Sequence, residues 1–296
     1  MKRLARVLAI VGVALAAALF ARENVAQIAR LVGGAIPGLL LAAAFHALPM
    51  LNNSLAWQRL FPASDRPALA LLMRVVWIRE SVNGVLPVAR VGGEIAAYRV
   101  LRRHVTSRAA VAASLAADVA LSVLSQAAFA LLGIGLLLAG GLFLLAQRRG
   151  ALAGFAGLVE RLFAGKLRSA RARSLRVDRA LRDVHARHAD VVGCIVLQFV
   201  AWVLSAGETW LALYFLGHPV SVGEAIAIEA SVQAVNSVAF AVPGAIGVQE
   251  GAFMVIGSVV GLDATTALAL AAARRLRDLV IFLPGLVAWH RSDRAV

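Results

Sequence analysis

The residues of this chain with most capacity for chemistry are charges set inside apolar runs. A first group is Arg74, Arg79, Glu80, Arg90 and Glu94. A second, more acidic group is Glu229, Gln233, Asn236, Gln249 and Glu250, and a third is Arg274, Arg275, Arg277 and Asp278. Asp118 and Glu208 are further acids, each inside an apolar segment of its own. At the centre of a hydrocarbon layer each such charge costs about 2.5–3.5 kcal/mol on insertion scales, so it is seldom idle. Both signs occur, which predicts partial pairing: Arg79 with a nearby carboxylate, and Arg274 or Arg277 with Glu94 or Glu250. Two uses fit this inventory. One is a set of ion pairs that fastens helices; the other is a polar cavity for a lipid headgroup, where arginine forks suit phosphate.

Two of the groups are framed by a repeated phrase. VNGVLPVARVGGE covers 82–94, and VNSVAFAVPGAIGVQE covers 235–250. Each starts with Val-Asn, breaks at a proline and ends on a glutamate seven residues later: Pro87 to Glu94, and Pro243 to Glu250. A proline inside such a run interrupts a helix. Gly92-Gly93 and Gly247 then stand where a second half-helix would begin, and they let backbone approach a ligand closely. The N-terminus of such a half-helix presents free N–H groups and the positive end of its dipole.

The elements that must position these residues follow from composition. Hydrophobic residues make up 61% of the 296 positions, and mean hydropathy is +0.82. Soluble domains are about 45–50% apolar, so the chain reads as a polytopic, all-α integral membrane protein. Spans of about 20 residues cross the hydrocarbon layer, and they are expected at 4–21, 31–51, 190–216 and 264–289. The first of these imitates a signal peptide and is read as an uncleaved helix. Basic flanks mark the cytoplasmic side. The stretch 68–98 has arginines on both sides, Arg59 and Arg66 before it and Arg99, Arg102, Arg103 and Arg108 after it. It is therefore expected to enter and leave on one side, as a re-entrant hairpin broken at Asn83–Pro87. The stretch 224–260 has no basic flank and is expected to do the same from the opposite side. Two proline-broken hairpins in inverted orientation, meeting near the bilayer midplane, are the pattern of many transporters; the competing reading is two unrelated proline kinks. Residues 109–146 fit one long helix or two short ones hinged at Gly133-Ile134-Gly135, and charge asymmetry asks for two crossings there.

The whole of 1–296 reads as one transmembrane domain. Its net charge of +14 is concentrated at 147–189, where eleven Lys and Arg face three acids. That block is expected to be a cytoplasmic loop with an amphipathic segment at the membrane surface. Nucleic-acid binding is disfavoured because nothing presents bases. The single cysteine, Cys194, excludes a disulfide framework. No metalloprotease, nucleophile-elbow or P-loop signature occurs, so no metal, cofactor or enzyme activity is expected. His46 reads as an interior polar contact and His218 as a loop residue, while Trp57, Trp202, Trp210 and Trp289 read as interface anchors. The spacings Gly247-xxx-Gly251 and Gly257-xxx-Gly261 suit close helix packing.

Three phrases together, WIRESVNGVLPVARVGGE (77–94), AVPGAIGVQEG (241–251) and ARRLRDLVIFLPGLVAW (273–289), resemble the hopanoid-biosynthesis-associated HpnL membrane proteins. These lie within the superfamily of lysylphosphatidylglycerol synthase transmembrane, flippase-like domains. The resemblance implies a multi-pass protein of the bacterial inner membrane with a role in lipid translocation. It carries the family's motifs onto Arg79, Glu80, Asn83, Pro87, Gly92, Gly93 and Glu94. It carries the second set onto Pro243, Gly244, Gly247, Gln249, Glu250 and Gly251, and the basic helix onto Arg274, Arg275, Arg277 and Asp278. The intramembrane polar residues Glu229 and Asn236 join them as candidate substrate-binding or translocation residues. The expected ligands are membrane lipids with a hopanoid or anionic phospholipid headgroup, and the N-terminus is expected in the cytoplasm. The alternative is a scaffold or regulator that docks lipid-synthesis enzymes through 147–189.

Overall fold

The computed structural model describes residues 2–86, 91–146, 183–184, 186–239 and 242–294. The expected amphipathic segment, and Pro87 and Arg90, lie outside the described residues. Among the described residues all regular structure is helical, without strands. The chain runs α1 (Lys2–Arg22), α2 (Val25–Phe45), α3 (Ala47–Arg59), α4 (Leu69–Val85), α5 (Gly92–Leu101) and α6 (Arg108–Ala146). It continues with α7 (His188–Phe215), α8 (Val222–Val238), α9 (Val248–Val259) and α10 (Ala264–Arg294). Residues 25–59, 108–138 and 188–215 are long and apolar enough to cross a membrane.

Local chemistry sets the helix ends. Asn24 accepts from the Gln27 N–H at 3.1 Å to start α2, and Ser107 accepts from the Ala110 N–H at 3.1 Å to start α6. A capping box opens α8, with Ser221 and Glu224 each accepting from the other's N–H, at 3.2 and 2.7 Å. The second expected span starts earlier than 31 and breaks at His46. Pro49 has no N–H to return to the Phe45 carbonyl, and the His46 N–H tightens onto Ala43 at 3.1 Å instead.

Residues 109–146 form one helix, not two. Gly133 is a contact point instead of a hinge: a Cβ there would overlap Ala230 of α8. The glycine permits close approach of α6 and α8, and its cost inside a helix, about 1 kcal/mol, is offset by that packing. The two crossings that charge asymmetry asked for in this stretch are not present.

α4 and α5 form one helical hairpin, and α8 and α9 form another. At about 1.5 Å per residue these helices are about 25, 15, 25 and 18 Å long, and α10, with 31 residues, is about 46 Å. α10 runs along both hairpins and shows how they are arranged. Its start lies at the open end of the second hairpin, where a Cβ on Gly257 would stand 3.4 Å from the Ala267 methyl. Its end lies at the open end of the first, where Arg74 and Arg103 donate to Ser292 at 2.8 and 2.7 Å. In between, the two tips meet, with the Gly84 carbonyl 3.7 Å from the Cβ position of Gly244. The hairpins therefore point at one another. Apolar clusters flank this junction: Trp57, Phe61, Leu72 and Ile78 on the side of the first hairpin, and Leu213, Ile228, Phe253 and Leu268 on the side of the second.

α1 packs along the second hairpin. Gly12 and Gly247 approach so closely that a Cβ on either would overlap the backbone of the other segment, and Gly251 faces Leu19. The Gly247-xxx-Gly251 spacing is thus used for helix packing.

Candidate functional site

The middle of α10 carries three arginines, and each goes to a different partner. Successive helical residues are turned by about 100°, so Arg274 and Arg277 face one way and Arg275 another. Arg274 pairs with Glu229 of α8, which also accepts from the Thr209 hydroxyl at 2.6 Å and from Gln233 at 2.9 Å. Arg275 donates to Glu250 at 2.9 Å and to the Gly244 carbonyl at 2.9 Å. Arg277 lies 3.4 Å from Glu208 of α7 and 3.0 Å from Asp278. The expected pairing of Arg274 or Arg277 with Glu94 or Glu250 is corrected: Glu250 belongs to Arg275. Rotation around α10, invisible in the sequence, made the difference.

Arg79 is the fourth intramembrane arginine with a described partner set. Its Nη1 donates to Asp118 of α6 at 2.6 Å, and Glu94 stands 3.9 Å away. Its guanidinium lies 5.0 Å above the Trp57 ring, a cation–π contact. Trp57 is fully buried and donates to Ser114 at 3.3 Å, so it is a core residue and not an interface anchor. Gln198 of α7 donates to Asp118 at 3.0 Å. Gly93 lies in the first turn of α5 beneath Asn83, whose side chain accepts from the Gly93 N–H at 2.8 Å and donates to Glu94 at 3.4 Å. A Cβ at position 93 would overlap Asn83 and the Arg79 carbonyl.

His46 sits where α2 gives way to α3. Its Nδ1 is 2.9 Å from Glu208 and its Nε2 3.3 Å from Glu80. Arg277 is at the same ring, 2.7 Å from Nδ1.

Much of this machinery lines a single cavity of about 460 Å³ at the junction of the hairpin tips. That volume is in the range of small-molecule sites, about 300–1,000 Å³. Arg79, Glu80, Asn83 and Glu94 reach it from the first hairpin; Asn236, Gly244 and Gln249 reach it from the second. Arg274, Arg275, Arg277 and Asp278 reach it from α10. Glu229 and Glu250 are buried behind the wall. Gly247 and Gly251 face α1, Gly92 opens α5, and Pro243 lies in the 3-10 turn Pro243–Ala245 at the second tip. The residues that sequence reasoning left out of the site are His46, Asp118, Gln198 and Glu208. Asp118 and Glu208 were visible as intramembrane acids, whereas His46 and Gln198 carried no signal beyond an apolar setting.

Two features of the cavity bear on its use. Four acids, Glu80, Glu94, Asp118 and Asp278, line it with four arginines, Arg79, Arg274, Arg275 and Arg277, and three more acids, Glu208, Glu229 and Glu250, are buried behind them. Each of these arginines has a carboxylate partner. Its wall also includes Val119 and Val123 of α6, which are 40% and 61% exposed. The cavity thus borders an exposed apolar surface. Several wall atoms have no hydrogen-bond partner, among them Gln126 Nε2 and Asn236 Oδ1.

Long apolar helices around a charged cavity define a polytopic α-helical membrane protein. The family model described as lysylphosphatidylglycerol synthase TM region matches residues 4–285, and the chain belongs to that family. No curated protein and no solved structure matches it significantly.

Proposed function

We propose that the chain is a lipid transporter that takes a lipid headgroup into this cavity while the hydrocarbon body stays in the membrane. The observation that carries the reading is a polar cavity bordered by exposed apolar α6 side chains. Charge buried without purpose is expensive, and here four helical segments and two hairpin tips deliver it to one place. Translocation is favoured over chemistry because most of the carboxylates are engaged with arginines: Asp118 with Arg79, Glu229 with Arg274 and Glu250 with Arg275.

The three further acids behind the lining, Glu208, Glu229 and Glu250, favour a headgroup rich in hydrogen-bond donors, hydroxyls or an amine, over an anionic phosphate. A hopanoid with a polar substituent meets that requirement, and the phrases at 77–94, 241–251 and 273–289 support the hopanoid branch. The opposed hairpins are read as re-entrant, each too short to span comfortably and stopping at the common junction. The basic flanks support placement in a bacterial inner membrane with the N-terminus in the cytoplasm.

The test is reconstitution in liposomes with acyl-labelled phosphatidylethanolamine or phosphatidylglycerol, scored by accessibility of the label to an external quencher. Faster exchange of the amine-bearing lipid than of the anionic one is expected. Failure of either lipid, and of an extracted polar hopanoid, to change leaflets beside an active control would refute transport.

A further inference from the structure

The His46 ring has one more neighbour than a neutral imidazole can satisfy. A neutral ring has one N–H and one lone pair. Its Nδ1 faces both the Glu208 carboxylate, at 2.9 Å, and the Arg277 Nη1, at 2.7 Å. One of these neighbours only accepts and the other only donates, so the same nitrogen cannot serve both. Its Nε2 faces the Glu80 carboxylate at 3.3 Å, with the same Arg277 nitrogen at 3.4 Å.

Each neutral tautomer leaves a mismatch. With the proton on Nε2, Glu80 is served and Arg277 can donate to Nδ1, but the Glu208 oxygen then faces a lone pair. With the proton on Nδ1, Glu208 is served, but Arg277 confronts an N–H and Glu80 confronts a lone pair. A second proton on the ring satisfies both carboxylates at once, and it leaves Arg277 opposite a cation. Arg277 has somewhere to go: Asp278 is 3.0 Å from its Nε, and Glu208 is 3.4 Å from its Nη1.

The groups facing His46 are these from every packed element: Glu80 from α4, Glu208 from α7, and Arg277 with Asp278 behind it from α10. The Phe282 ring covers another edge at 6.1 Å. Two acids, Glu80 and Glu208, face the ring against one arginine, and Asp278 is shared between Arg277 and Arg275, so one further positive charge on the ring is matched. His46, Glu80, Arg277 and Asp278 also line the large cavity. A headgroup donor entering there would compete with the protonated ring for Glu80 and with Arg277 for Asp278.

We propose that His46 is a proton-binding site whose occupation displaces Arg277 from the ring, so that the proton and a lipid headgroup exclude one another from the cavity. The second half rests on the headgroup reading above. Its consequence is exchange: a headgroup binds as a proton leaves, and a proton gradient can drive the lipid in one direction.

The test has two arms. In the first, ¹⁵N NMR of imidazole-labelled protein in detergent follows His46 between about pH 5 and pH 8, the range in which histidine changes charge. The chain has six histidines, and H46Q identifies the resonance. A titrating His46, with about tenfold tighter proton binding in R277Q, is expected. A ring that keeps one state across the range, or that ignores R277Q, overturns the proposal. In the second arm, exchange of acyl-labelled phosphatidylethanolamine in liposomes is measured over the same range. The native rate should fall about tenfold towards low pH, and H46Q should be flat within about twofold. If lipid moves with equal pH dependence in both, the exclusion falls and the headgroup reading stands. If His46 titrates with Arg277 but no lipid moves at any pH, the proton site stands and the headgroup reading falls.

Discussion

The two hairpins share a phrase and put its final glutamate to different work. In the second, Glu250 is buried, accepts from the Gly247 N–H at 2.6 Å and is held by Arg275 at 2.9 Å. It caps α9 and ties the tip to α10. In the first, Glu94 stands at the cavity wall, 3.9 Å from Arg79 and 3.4 Å from the Asn83 amide, with Oε2 unbonded. Both glutamates are candidate site residues by sequence, but Glu94 lines the cavity and Glu250 does not. The difference comes from what lies behind each tip. α1 closes over Gly247, leaving Glu250 no route outward, whereas nothing comparable among the described residues covers Glu94. One copy of the phrase builds the scaffold and the other is left available.

The contrast is tested most severely by truncating each glutamate. Glu250→Ala leaves Arg275 without its main partner and α9 without its cap. It should cost about 3–5 kcal/mol of stability, in the range for breaking a buried pair, read as denaturant unfolding in detergent. Glu94→Ala should cost less than about 1 kcal/mol and abolish lipid exchange; equal stability losses in the two variants would erase the contrast.

Gly247→Ala comes next, because its φ of +81° and the Gly12 carbonyl both oppose a Cβ. About 1–3 kcal/mol is expected, with α1 becoming more accessible to protease. Gly135→Ala makes the opposite prediction, since a Cβ at that position of α6 meets nothing within 4 Å. A gain of about 0.5–1 kcal/mol in unfolding free energy is expected. The smallest effect belongs to Asp263, in the turn before α10. Slight burial pushes its pKa up, but the N–H and hydroxyl of Thr266, at 2.9 and 2.8 Å, outweigh that and hold it below the usual 3.8. Its stabilising contribution is therefore complete above about pH 4 and fades as pH falls through the depressed value. Asp263→Asn should lower stability by a few tenths of a kcal/mol and remove that part of the acid sensitivity.

Much of the architecture was legible because membrane burial makes sequence signals strong. Apolar runs marked the helices, prolines and glycines marked the two breaks, and charges inside the runs marked the region of the cavity. The limits were equally physical. Gly133-Ile134-Gly135 suggested a hinge, but glycine serves both bending and close packing, and only the presence of Ala230 decides between them. The pairing of Arg274, Arg275 and Arg277 depends on helix rotation against three neighbours, which spacing along one chain does not encode.

By itself the sequence determined the all-helical membrane class, the two broken segments and the residues whose charge had to be accommodated. These follow from free energies that belong to single residues and short runs: hydrocarbon transfer, backbone hydrogen bonding and proline geometry. The tertiary structure alone decided which acid meets which arginine, that Glu94 lines the cavity while Glu250 is sealed, and that His46 stands between two carboxylates and a guanidinium. Those outcomes depend on contacts between residues far apart in the chain, such as His46 with Arg277, and arise only when the helices have packed.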